Sequence, residues 1–69
     1  MDIKHKFAQR MRLLRNKAGI SQEELAFRSK LDRTYINSVE NGKRNISIIN
    51  IEKIAVALDL SLKELFEKL

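Results

Sequence analysis

Gly19-Ile20-Ser21-Gln22-Glu23-Glu24-Leu25-Ala26-Phe27-Arg28-Ser29-Lys30-Leu31-Asp32-Arg33-Thr34-Tyr35-Ile36-Asn37-Ser38-Val39-Glu40-Asn41-Gly42 is the stretch that decides the fold of this chain. Ser21 with Glu24 three residues on is a capping box: the hydroxyl accepts from a free helix amide while the carboxylate reaches back to the Ser21 backbone. A short helix over Gln22 to Ser29 follows, with Leu25 and Ala26 facing inward. Lys30 and Leu31 make a tight connection, and Asp32 caps a second short helix from Arg33 to about Asn41. Ile36 and Val39 are its buried pair, and Gly42 ends it.

Upstream, Ile3, Phe7, Met11, Leu14 and Ala18 step by three or four residues, which lays them on one helical stripe, and Gly19 sits where a left-handed cap is wanted. Downstream, Lys43, Arg44 and Asn45 form a polar loop. Ile46 to Ile51 is β-branched enough to suggest a strand, but Ser47 can cap a helix whose Ile51, Ile54, Ala55 and Leu58 keep helical spacing. Ser61 and Glu64 form a second capping box, opening a last helix through Leu62, Leu65, Phe66 and Leu69. The expectation is an all-α compact bundle of about five short helices, one domain over residues 1–69.

Composition agrees. Two glycines and no proline leave an all-β fold without its turns. With no cysteine and His5 as the lone histidine, disulfide frameworks and zinc sites are excluded, and no metal or cofactor is expected. No run is long and apolar enough for a bilayer and the first residues lead into no signal core, so a soluble, cytoplasmic protein is expected. A chain this short buries only about 60% of its unfolded surface, which leaves self-association as the remedy for a small core.

Charge is unevenly distributed. Residues 1–19 hold six basic side chains (Lys4, Lys6, Arg10, Arg12, Arg15 and Lys17) against Asp2 alone, whereas residues 46–69 are slightly acidic and rich in isoleucine and leucine. A basic front on a small helical domain points to a polyanion, nucleic acid first. The two short helices after Gly19, joined by about three residues, have the helix-turn-helix arrangement, in which the second enters the major groove. Arg33, Thr34, Asn37 and Ser38 lie opposite Ile36 and Val39, and these are side chains that read base edges. A polar solvent-facing surface would carry the same residue types.

The runs Gly19 to Ala26, Asp32 to Ile36 and Glu40 to Arg44, with Ile54-Ala55-Val56-Ala57-Leu58, resemble the Cro/C1-type helix-turn-helix family of phage and bacterial regulators. Leu31 to Ile36 together with Arg44-Asn45-Ile46-Ser47 is similar, within that family, to the controller proteins of restriction–modification systems. The resemblance implies a lambda-repressor-like DNA-binding domain and a homodimer on a near-palindromic double-stranded DNA operator. It places Arg33, Thr34, Asn37 and Ser38 at base-reading positions, with Gln22, Tyr35, Asn41, Lys43, Arg44 and Asn45 at phosphates or the groove edge. It also implies a structural pair, Arg15 with Glu40, linking the first helix to the end of the third. Lys30 departs from the glycine usual at the turn, which costs roughly 1–2 kcal/mol if the left-handed backbone is kept.

The last two helices, about residues 47–69, carry more aliphatic side chains than one small core can use, and an exposed remainder marks an interface. Ile49, Leu62, Phe66 and Leu69 are the candidate dimer contacts, which would set two recognition helices about 34 Å apart. No nucleophile–base set or phosphate-cradling glycine loop is present, so no catalytic residue, small-molecule substrate or enzyme activity is expected. Activation of transcription would add RNA polymerase as a partner, with Glu23 or Glu24 as the acidic contact. The competing readings are a phage-type repressor, an antitoxin-like regulator with a protein partner, and a basic amphipathic helix at a membrane surface.

Overall fold

A computed structural model describes residues 1–69 and contains five helices and no strand: α1 (Ile3–Lys17), α2 (Gln22–Ser29), α3 (Arg33–Glu40), α4 (Ile48–Ala57) and α5 (Leu62–Phe66). Each begins on a side chain that accepts from a first-turn amide, in order Asp2, Ser21, Asp32, Ser47 and Ser61. Short polar residues at these positions satisfy donors that the helix itself leaves open. The box expected at Ser61 is complete, with Ser61 Oγ accepting from the Glu64 amide at 3.1 Å and Glu64 Oε1 from the Ser61 amide at 2.9 Å. The box at Ser21 is only half formed. Its hydroxyl accepts from the Glu24 amide, but the Glu24 carboxylate turns along the helix to Arg28 Nε at 2.8 Å.

Four helices end in one way. Gly19, Lys30, Gly42 and Asp59 have φ of 72°, 59°, 72° and 58°. In each case the next amide, from Ile20, Leu31, Lys43 or Leu60, donates back to the carbonyl five residues earlier. This is the Schellman ending, which closes orphan carbonyls at the cost of a left-handed residue. Lys30 therefore keeps the conformation glycine would adopt more cheaply.

One side chain from every helix is sealed completely at the centre: Met11, Leu25, Ile36, Ile54 and Leu65. Phe7, Leu14, Ala26, Val39, Ala55 and Leu58 surround them. Two members of the expected α1 stripe stand outside. Ile3, in the first turn, is 64% exposed, and Ala18 is the exposed C-cap. The stripe runs past both ends of the body it packs on. The last helix stops at Phe66 rather than reaching Leu69, which is half-buried in the turn beyond. No helix is long and apolar enough to cross a membrane.

Candidate nucleic-acid interface

α2 and α3 pack on each other through Leu25, Ala26, Ile36 and Val39, which turns the opposite face of α3 outward. Arg33, Thr34, Asn37 and Asn41 are exposed along it; Ser38 is half-buried. Gln22, at the start of α2, joins Arg33, Thr34 and Asn37 around a shallow depression of about 210 Å³. The four residues expected to read bases thus share one face, with Ser38 at its margin.

Behind this face lies the Arg15–Glu40 pair. Glu40, the last residue of α3, has no exposed side-chain surface. Its carboxylate accepts from Arg15 Nε at 2.6 Å and from Arg15 Nη2 at 2.9 Å, a bidentate fork. A third bond comes from Gln22 Nε2 at 3.0 Å, and the Arg12 guanidinium stands 3.6 Å away. Burial pushes the Glu40 carboxyl up, but the hydrogen bonds from Arg15 and Gln22 and the charges of Arg15 and Arg12 outweigh it. The group titrates below its ordinary value. Hydrogen bonding to Glu40 correspondingly raises Arg15. The pair ties α1 to the end of α3 and is not on the outer face.

From Glu40 the hydrogen bonds continue outward. Asn37 Nδ2 donates to Gln22 Oε1 at 3.1 Å, and Asn41 Nδ2 donates to Asn37 Oδ1 at 3.1 Å and to the Asn37 carbonyl at 3.0 Å. Gln22 keeps one amide hydrogen for an outside acceptor. Asn41 spends both of its hydrogens on Asn37, so a phosphate would have to displace one of them.

The loop after α3 carries the remaining cations. Arg44 lies over the Tyr35 ring, its guanidinium carbon 5.0 Å from the centroid. The Tyr35 hydroxyl accepts from Asn50 Nδ2 of α4 at 3.1 Å and keeps its own proton to donate. Sequence reasoning missed Asn50, because a polar residue in the first turn of a helix carries no signal of a partner fifteen positions upstream. Lys43 and Asn45 are exposed beside Arg44.

The basic front is less available than its charge count suggested. Arg12 and Arg15 face Glu40, and Arg10 donates to the carbonyls of Glu64 and Leu65 at 2.8 and 3.2 Å, holding α5 in place. Lys4, Lys6 and Lys17 form no ion pair. Of the candidate dimer contacts, Ile49 is 64% exposed, Leu62 and Phe66 just over a third, and Leu69 is half-buried. Phe66 already packs on Phe7 at a centroid distance of 5.8 Å. Ile48 and Val56 of α4, not among the expected contacts, are more exposed than Leu62 or Phe66, as is Phe27 of α2.

An α3 that turns a polar face to solvent, braced by α2 and backed by a buried ion pair, defines a helix-turn-helix protein, and residues 11–65 match the helix-turn-helix family. The chain belongs to that family, in its Cro/C1-type branch. Among its relatives it is 50% identical over 66 residues to the control protein C.MunI of a Mycoplasma species, spanning 94% of this chain and 89% of that one. It is 46% identical over 67 residues to the control protein C.BamHI of Bacillus amyloliquefaciens, spanning 96% and 83%. The solved structure of the restriction-modification controller protein C.AhdI from Aeromonas hydrophila superposes with a TM-score of 0.89 at 56% identity, covering 91% of this chain and 96% of that one.

Proposed function

We propose that this chain is a sequence-specific DNA-binding transcriptional regulator, the controller of a restriction–modification operon, acting as a homodimer on a near-palindromic operator. The observation that carries the reading is the exposed row Arg33, Thr34 and Asn37 on α3, on a chain similar over nearly its full length to restriction-modification control proteins. Arg33, Thr34, Asn37 and Ser38 face base edges, and Gln22, Tyr35, Asn41, Lys43, Arg44 and Asn45 hold the backbone. A twofold dimer through α4 and α5, with Ile49, Leu62, Phe66 and Leu69 at its centre, repeats that row about one helical turn along the DNA. Five apolar residues of α4 and α5 with a third or more of their surface exposed (Ile48, Ile49, Val56, Leu62 and Phe66) support this face.

The chemistry of this reading is binding, carried by the outer face of α3, with Glu40, the one buried carboxylate, bonded behind it to Arg15 and Gln22. Such a regulator works in the bacterial cytoplasm on the nucleoid. Glu23, exposed on α2 beside the uncovered Phe27, is the side chain we assign to an RNA polymerase contact if the protein activates. Competition binding at several salt concentrations tests the reading. One promoter duplex should win over random DNA by roughly 10³-fold or more, whereas equal binding to all sequences would overturn it.

A further inference from the structure

We propose that Gln22 and Asn41 are positioning residues for base specificity: a one-way chain of hydrogen bonds running out from Glu40 fixes the amide of Asn37 in the donor–acceptor order that adenine requires. This rests on the DNA-regulator reading above. The chain has a single solution because its inner end can only accept. Glu40, ionised against Arg15, takes a proton donor from Gln22, so Gln22 must turn its Nε2 inward and its Oε1 outward. That carbonyl accepts from Asn37 Nδ2, and Asn37 Oδ1 accepts in turn from Asn41 Nδ2. Rotating the Asn37 amide by half a turn would set oxygen against oxygen at Gln22 and nitrogen against nitrogen at Asn41. Both neighbours oppose the flip.

What Asn37 keeps free is then determined. One Nδ2 hydrogen is spent on Gln22 and one remains; one Oδ1 lone pair is spent on Asn41 and one remains. Asn37 is exposed on the outer face of α3, which leaves the remaining donor and acceptor open to a partner on that face. Adenine offers the complement, an acceptor at N7 and a donor at N6. An amide free to turn would donate equally well to the N7 and O6 acceptors of guanine. The buried carboxylate thus acts at the DNA surface through two neutral amides, and Gln22 has a task beyond its phosphate contact.

The test compares the wild type with Asn37→Ala, Gln22→Met and Asn41→Ala, each checked for helicity and cooperative melting. Each protein is titrated against the wild-type operator and against every single-base-pair variant of it. Asn37→Ala identifies the base pair that Asn37 reads. At that pair the wild type should favour adenine roughly 5- to 150-fold, the worth of a bidentate asparagine–adenine contact. Gln22→Met and Asn41→Ala should bring that preference down toward parity, guanine gaining most, with the preferences at other positions intact. Gln22→Met weakening all duplexes alike, with the adenine preference kept, would overturn the proposal and leave Gln22 a phosphate contact only. An Asn37→Ala protein with unchanged preferences at every position would also overturn it. A wild type with no preference anywhere would overturn the regulator reading and the proposal together.

Discussion

Glu40→Gln keeps the volume of the one buried acidic side chain and removes its charge. In the native protein the two carboxylate oxygens accept two bonds from Arg15 and one from Gln22, and Arg12 adds charge at 3.6 Å. A carboxamide has one accepting oxygen, so its NH2 must face one of these donors and the Arg15 charge loses its counterion. Breaking a buried pair from one side costs about 3–5 kcal/mol. Arg15 is 12% exposed and keeps its bond to the Ile20 carbonyl, which argues for the lower end, about 3 kcal/mol. A domain of this size holds roughly 3–10 kcal/mol in all, and a melting temperature drop of about 12–24 °C is expected. Circular dichroism melts and urea titrations at one fixed protein concentration measure it, since a dimer's stability depends on concentration. The pH dependence is the sharper test. The folded-state carboxyl titrates below its ordinary 4.5, so its stabilisation is fully present above that value and is lost as pH falls through the depressed one. The wild-type advantage over Glu40→Gln should therefore hold steady from pH 7 to about pH 5 and narrow on further acidification, other carboxylates being common to both proteins. A loss under about 1 kcal/mol at pH 7, or an advantage that persists unchanged into acid, would refute the reasoning.

Arg33→Ala should relax base preference at one position, whereas Arg44→Ala should weaken every sequence alike and reduce the salt slope by about 1; titrations at several salt concentrations separate the two. Lys30→Gly should stabilise the protein by about 0.5–1 kcal/mol in urea, because relief of the left-handed strain exceeds glycine's added freedom in the unfolded chain. Gly42→Ala should do the reverse: its φ is +72° and a Cβ there would stand 2.6 Å from His5 Cδ2. Adding His5→Ala should recover the contact part of the loss and leave the backbone part, as melts of the single and double variants would show. Ile49→Asp, at a 64% exposed site, should shift sedimentation toward the monomer with little loss of helicity, and an unchanged dimer would place the interface elsewhere. Phe66→Asp is a blunter probe of the same face, since it also strips the contact with Phe7.

The fold was legible because its signals are local. Ser21, Asp32, Ser47 and Ser61 announce helix starts within three residues of sequence, and Ile36 with Val39 and Ile51, Ile54, Ala55 and Leu58 keep helical spacing. Helix ends were legible only by halves. Gly19 and Gly42 mark two left-handed endings, but Lys30 and Asp59 adopt the same backbone without the residue that advertises it. There the Schellman bonds from Leu31 and Leu60, and the packing of both leucines on the core, hold the conformation. The bonds are local, but the packing of Leu31 and Leu60 on the core is tertiary, and it is this packing that overrides the local preference at those two turns.

The site was legible as a set of residue types and not as a circuit. Arg33, Thr34 and Asn37 could be placed on one face from spacing alone, since a helix fixes which side chains share a side. How Gln22, Asn37 and Asn41 divide their donors and acceptors depends on where Glu40 ends up, eighteen residues from Gln22 and at the far end of the next helix. The charge count overstated the free basic surface for the same reason. Six basic side chains in the first nineteen residues read as a surface for a polyanion. Three of them are arginines that bond inward: Arg12 and Arg15 to Glu40, and Arg10 to the end of α5. Arginine suits that work, with several donors in a planar fork that can satisfy buried carbonyls and carboxylates together. The lysines of the same helix, with a compact and strongly hydrated charge, stay in water. The identity of each cation, more than the sum, separates the residues that build this domain from those left in water.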